Sequence, residues 1–222
     1  MKHFKFFCTA NKSYKNTIDE TAKICSYLSV MYEYYLNPVK TGGISTLIIY
    51  FGDKKPENIV VFPIMSHFIS VDWSKIEAFS SLEKANFILE QCNEVISFYV
   101  HREQWDNKPF QLVYKKVKKN NYQFREHFKK PILSPNKEFK AQIYFELDYE
   151  KNGTFVDFTD KSGNLINRIQ FTPSGYSVIS KTIGNIEWLD NNQVKIGNIQ
   201  VPKLGINADC NRKKYWLVKM DG

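Results

Sequence analysis

The side chains able to do chemistry are few, and most stand in patterns that assemble no site. Ser66, His67 and Asp72 supply the residue types of a hydrolase triad, in which a base takes the nucleophile's proton and a carboxylate orients the base. On a strand, however, side chains alternate, so His67 falls with Met65 and Ile69 while Ser66 and Asp72 point the opposite way. No G-x-S-x-G elbow occurs elsewhere. His3 sits at the start of the chain, and His101 closes a helical pattern beside Arg102 and Glu103. Cys8, Cys25, Cys92 and Cys210 form no C-x-x-C pair and read as reduced, packed thiols instead of zinc ligands. Glu146, Asp148 and Glu150 lie about 7 Å apart along one strand face, a separation that two-carboxylate hydrolysis tolerates. One such acid must also be kept protonated by an apolar pocket, which a wet strand face does not provide. Asp157, Asp160 and Asn164 do not make a D-x-D-x-D-G calcium loop. Gly42-Gly43 is the only adjacent glycine pair, and no phosphate-cradling loop is present. No catalytic residue, metal ligand or cofactor is therefore expected.

One segment stands out by charge. Residues 114–130 hold Lys115, Lys116, Lys118, Lys119, Arg125, Lys129 and Lys130 against the single acid Glu126, a net +6 within a chain of net +8. Tyr114, Tyr122, Phe124 and Phe128 interleave with these cations, and His127 can add to them. Lysines and arginines of this kind hold phosphates while rings stack on bases. They equally dock an acidic protein surface and speed association by steering. The predicted binding residues are Lys115, Lys116, Lys118, Lys119, Tyr122, Phe124, Arg125, Lys129 and Lys130. An acidic protein partner is the first expectation and a nucleic acid the second. The plain alternative is a solvated strand end and hinge whose lysines keep the chain soluble.

The elements that position this segment divide the chain in two. Residues 129–137, Lys-Lys-Pro-Ile-Leu-Ser-Pro-Asn-Lys, carry two prolines and no periodicity, which predicts a connector between a domain at 1–130 and another at 137–222. In the first, residues 4–9 alternate as a strand. Thr17-Ile18-Asp19-Glu20 reads as a capping box before a helical stripe of Ala22, Cys25, Leu28 and Tyr32 that Asn37-Pro38 ends. Residues 44–51 read as a second strand, and a third starts at Ile59 and bends near Pro63. Ser80-Ser81-Leu82-Glu83 is a second capping box, opening the stripe Leu82, Ala85, Leu89, Cys92, Ile96, Tyr99. After Asp106-Asn107-Lys108-Pro109, residues 110–117 read as a fourth strand. The order β-α-β-β-α-β predicts an α+β, ferredoxin-like unit.

The second half alternates Ile143, Phe145, Leu147 and Tyr149 with polar residues and is punctuated by turn signals. These are Asn152-Gly153, residues 160–164, Pro173-Ser174-Gly175, Gly184-Asn185, residues 190–192 and Gly197-Asn198, with a last strand at 215–220. This predicts a small antiparallel β meander or barrel-like module. Each half has its own periodicity and so its own expected core.

A hydrophobic fraction of 43% excludes disorder of the whole chain, and no run of 18 apolar residues predicts a membrane span. The opening residues imitate a secretion signal only briefly, since Lys5 interrupts the apolar run and residues 11–16 are polar. A cytoplasmic protein without membrane contact is expected. An α/β unit with an appended β module, no assembled catalytic group and concentrated charge resembles the immunity proteins of bacterial polymorphic toxin systems. That resemblance rests on architecture and implies a non-enzymatic inhibitor that neutralises a toxin; it carries no residue role to this chain. Nucleic-acid binding by residues 114–130 is the second expectation. An enzyme with a site at the domain junction is the third.

Overall fold

Residues 5–10, 15–36, 38–53, 60–147, 152–172, 183–198 and 215–221 are described in the computed structural model. The chain falls into two compact units, the first ending at Phe124 and the second beginning at Arg125.

In the first unit, β1 (Lys5–Ala10), β2 (Thr46–Gly52) and β4 (Ile64–Ser70) run parallel, and the two-residue β3 (Val60–Val61) pairs antiparallel outside β4. Their order is β1-β2-β4-β3. Alternation along β2 buries Leu47, Ile49 and Phe51 and leaves Tyr50 exposed. The core side of the sheet meets α1 (Lys15–Tyr35), whose inner face buries Ile24, Cys25, Leu28, Met31 and Tyr32. α1 also packs against the short α2 (Trp73–Glu77), α3 (Ser81–Arg102) and α4 (Lys108–Lys119). The ferredoxin-like expectation does not hold for this unit. Its principal strands are parallel, which a ferredoxin-like hairpin order does not give, and the fourth strand expected over 110–117 is helix α4. The expected third strand breaks at Phe62-Pro63 into the β3–β4 hairpin.

The α3 capping box forms as expected: Ser80 Oγ accepts the Glu83 N–H at 3.3 Å, and Glu83 Oε2 accepts the Ser80 N–H at 2.8 Å. α1 begins at Lys15, ahead of the Thr17 expected as its N-cap. Glu20 instead pairs with the buried Lys84, whose Nζ lies 2.5 Å from Glu20 Oε2, and accepts from the Ser81 hydroxyl. Burial pushes the Glu20 carboxyl up, but the Lys84 ammonium and Ser81 hydroxyl outweigh it and hold the group below its usual range. A carboxyl lowered on folding adds stability above its unfolded value, and that stability is lost as pH falls through the folded one. Wild type should therefore be more stable than Glu20→Gln at neutral pH, with the two unfolding curves converging below about pH 4. An equal gap at pH 3 and pH 7 would show that the pair adds nothing.

Every described element of the second unit is a strand. One sheet has the meander order β5 (Phe124–Leu133), β6 (Phe139–Leu147), β7 (Asn152–Asp160), β8 (Leu165–Gln170), with β6, β7 and β8 antiparallel. The other places β10 (Gln193–Asn198) between β9 (Ile183–Trp188) and β11 (Tyr215–Lys219), also antiparallel. This agrees with the antiparallel β module read from the sequence. The first sheet has a core face of Ala141, Ile143, Phe145, Leu147, Val156 and Phe158, all buried. Phe128 joins it against Phe145, with ring centroids 5.4 Å apart.

Three turn signals resolve differently. Asn152-Gly153 lies inside β7 opposite Leu147 and Glu146, and residues 148–151 lie outside the described residues. Gly184-Asn185 and Gly197-Asn198 are strand residues of β9 and β10. Glycine is needed there because a Cβ on Gly184 would stand 3.0 Å from the Gly197 carbonyl oxygen, where the register shifts. Pro173-Ser174-Gly175 and residues 148–150 lie outside the described residues. The expected connector also changes character: residues 129–133 are the second half of β5.

Candidate functional site

Helix α4 organises the first part of the basic segment. Its start is fixed by Asp106 Oδ1, which accepts the Lys108 N–H at 3.0 Å, and by Pro109 in the first turn. Phe110, Val113 and Val117 recur at i, i+3 and i+7 and are buried, so Leu112, Lys115, Lys116 and Lys119 share the solvent side. Lysines in the last turn also complement the negative end of the helix dipole, a local role that needs no ligand. Asn121 and Tyr122, both in the left-handed region, then turn the chain sharply.

The nine predicted binding residues are divided between the two units. Lys115, Lys116, Lys118, Lys119, Tyr122 and Phe124 belong to the first unit, whereas Arg125, Lys129 and Lys130 belong to the second. Tyr122 and Phe124 are core residues, 6% and 1% exposed. The Tyr122 hydroxyl donates to Asn86 Oδ1 at 2.6 Å, and the Phe124 ring packs edge-on against Tyr34. Neither offers a face on which a base could stack. Lys118 pairs with Glu90, which also accepts the Tyr114 hydroxyl at 2.8 Å. That carboxylate holds the Lys118 ammonium well above the usual lysine range. The Lys116 ammonium sits 3.8 Å from the centroid of the Tyr35 ring. Among the described residues, Lys115 and Lys119 have no ion-pair partner and stand exposed next to Leu112, itself 55% exposed.

In the second unit Arg125 pairs with Glu146 at 2.8 Å, and Lys129 donates to the Gly184 carbonyl at 2.6 Å. Lys129 has a φ of 62°, which interrupts the regular alternation of β5. Lys130 is exposed and carries no ion pair among the described residues.

A second cluster escaped the sequence reading altogether. On the face of the β5–β8 sheet opposite its core, Asp157 of β7 is 3% exposed. Arg168 of β8 donates to it twice, Nε to Oδ1 at 2.6 Å and Nη2 to Oδ2 at 2.8 Å. A carboxylate only accepts, so the 3.0 Å contact of His127 Nε2 with Asp157 Oδ2 is a donation from His127 of β5. Beneath them lies Tyr144 of β6, with the Arg168 guanidinium 3.7 Å from its ring centroid and the His127 ring 5.1 Å away. Hydrogen bonding to Asp157 raises Arg168 above its ordinary value. Register alone puts Asp157 and Arg168 side by side; nothing in the local sequence says that His127 reaches across β6 to join them. Of the carboxylate row read as a wet face, Glu146 is occupied by Arg125, and Asp148 and Glu150 lie outside the described residues.

Asp72 caps α2 by accepting the Ser74 N–H at 3.1 Å, while His67 Nδ1 hydrogen-bonds the Tyr99 hydroxyl at 3.3 Å, so Ser66, His67 and Asp72 make no triad. Cys8, Cys25 and Cys92 are buried free thiols, and Cys210 lies outside the described residues. The Cys8 thiol donates to the Cys25 carbonyl at 3.0 Å, and burial pushes the Cys25 and Cys92 thiols well up, which keeps them protonated. Among the described residues no group of three His, Cys, Asp or Glu side chains is placed to hold a metal ion, and no helix is long and apolar enough to cross a membrane. Comparison with protein-family models, curated proteins and solved structures finds no match.

Proposed function

We propose that the protein acts by binding an acidic protein partner, as an immunity or inhibitor protein binds the toxin it neutralises, and that the solvent face of α4 is its docking surface. The observation that carries the reading is the pair of exposed lysines, Lys115 and Lys119, that no carboxylate neutralises among the described residues, on the same helix side as the exposed Leu112. An apolar side chain sharing a helix face with unspent charge suits a steered protein contact: the charge orients the encounter and the apolar group is desolvated on docking. Lys116 and Lys118 contribute less freely, being held over Tyr35 and by Glu90. Nucleic-acid binding loses its stacking half in this arrangement, because Tyr122 and Phe124 are buried.

The test is retention of a defined partner, the protein encoded by the adjacent gene being the first to try. Lys115→Glu with Lys119→Glu should weaken binding at least about tenfold, mainly through slower association, and the wild-type affinity should fall with added salt. The same two reversals at Lys40 and Lys137, both exposed, should change little. Equal loss in the two double variants would remove α4 from the interface. A mobility shift of duplex DNA by the wild type alone would favour the nucleic-acid reading instead.

A further inference from the structure

We propose that β11 is a docking edge for a second copy of this chain, the two β11 strands pairing antiparallel about Leu217. This edge lies in the second unit and does not rest on α4.

β11 ends its sheet, with β10 on one side only. Successive residues of a strand aim their backbone groups alternately to its two sides. The Met220 N–H donates to the Asn192 carbonyl at 2.8 Å, and the pairs Val218–Val194 and Trp216–Ile196 continue that ladder. Trp216, Val218 and Met220 therefore bond β10, while the N–H and C=O groups of Tyr215, Leu217 and Lys219 point to the open side. None of those outward groups has a hydrogen-bond partner among the described residues. The row ends at Met220, whose carbonyl accepts the Asn167 side chain at 2.9 Å.

The other terminal strands are interrupted. On β1 the outward Cys8 N–H is accepted by Ser29 Oγ at 3.0 Å. β3 is two residues long, and β5 carries Pro131, which has no N–H. On β8 Asn167 Oδ1 accepts the Arg168 N–H at 2.9 Å, and on β9 Lys129 donates to the Gly184 carbonyl at 2.6 Å. Devices of this kind keep sheet edges from pairing. β11 has only the terminal Lys219 as a guard, and it exposes Tyr215 at 47% and Leu217 at 52%.

The row is complementary to itself, which selects a second copy as its occupant. With Leu217 opposite Leu217 of the second copy, Tyr215 of each chain stands opposite Lys219 of the other. Each chain then offers three N–H and three C=O groups, and all of them pair. On the exposed face leucine meets leucine, and each lysine lies beside a tyrosine ring. Behind Leu217 stands Lys195 and behind Lys219 stands Gln193, so no like charges face each other directly. Sliding the register by two residues would leave groups unpaired at both ends. Three residues a side fall well below a permanent interface, so the pairing is reversible and concentration-dependent. Each chain carries a net +8, so added salt strengthens the pairing, the reverse of its expected effect on binding at α4.

Sedimentation equilibrium of the full chain, from about 10 µM to about 1 mM, tests this in a range suited to a weak contact. The average mass is expected to rise with concentration towards that of two chains, and further in high salt. Over the same range the Leu217 amide should become protected from hydrogen exchange, whereas the Trp216 and Val218 amides stay protected throughout. Leu217→Pro deletes an outward N–H that the ladder to β10 does not use, and should weaken self-association at least tenfold. Leu217→Lys sets two ammonium groups opposite each other and should do the same without a backbone change. Wild-type protection at Trp216 and Val218 shows that both variants keep the sheet. A wild type that stays monomeric in high salt, or self-association untouched by both variants, would overturn the assignment. Leu217 protection at every concentration in the monomer would give the edge to a segment of the same chain. Protection that appears only with an added alternating Thr-Val peptide would give it to a foreign strand.

Discussion

Replacing Phe158 by alanine is expected to lower the stability of the second unit by about 4 kcal/mol, the cost of emptying a fully enclosed aromatic site. Phe158 is 0% exposed, sits on β7 between Ala141 of β6 and Asn167 of β8, and meets Trp188 edge-on at 5.7 Å. Its removal therefore takes away transfer free energy, and it leaves a cavity that strands paired on both sides cannot close. Hydrogen exchange of the β6 and β7 amides reads the loss within this unit, where a global melt would blend two transitions. Phe158→Leu, which keeps most of the volume, should cost far less. Equal protection in Phe158→Ala and wild type would show that this face is not a packed core.

Arg168→Ala is expected to destabilise the same unit by about 3 kcal/mol, for a different reason. Deleting one partner of a buried pair leaves the other charge desolvated, and Asp157 at 3% exposure would keep only the His127 contact. The second change Asp157→Asn in that background should recover much of the loss by removing the orphaned charge. Urea unfolding of the two variants, compared at the same pH, measures this. Failure of Asp157→Asn to recover stability would show that the guanidinium matters through its packing on Tyr144 and not through charge.

Much of the fold could be read along the chain, and what could not has identifiable causes. The α3 capping box was legible because Ser80 and Glu83 act within one turn. Helix α4 was not. Phe110, Leu112 and Tyr114 alternate as a strand would, while Phe110, Val113 and Val117 keep helical spacing, and the β-branched and aromatic content favoured the first pattern. Burial decides for the second. Strand β5 was hidden by Lys129-Lys130-Pro131. A proline is tolerated there because β5 is the terminal strand of its sheet, where one row of backbone donors needs no ladder partner.

The basic segment was visible as composition, but its grouping was not. Charge is counted along the sequence, whereas the division at Phe124–Arg125 assigns its cations to different units and its rings to a core. His127, Tyr144, Asp157 and Arg168 were individually visible and jointly invisible. Strand alternation gives each residue a face, but only the register between strands brings four of them together.

The four-stranded sheets of the two units also differ in how far along the chain their partners lie. β1 meets β2 by pairing Lys5 with Thr46, so a helix of 21 residues has to be accommodated before the first ladder can close. In the meander, Leu147 meets Asn152 and Thr159 meets Leu165, and each hairpin can zip outward from a short loop. Closure entropy grows with the length of chain enclosed, and rates fall as contacts become less local. The second unit's first sheet is therefore expected to form outward from its turns, whereas among the described residues the local strand pairing of the first unit's sheet is the β3–β4 hairpin, and its parallel ladders are expected to need the helices to bring the strands together.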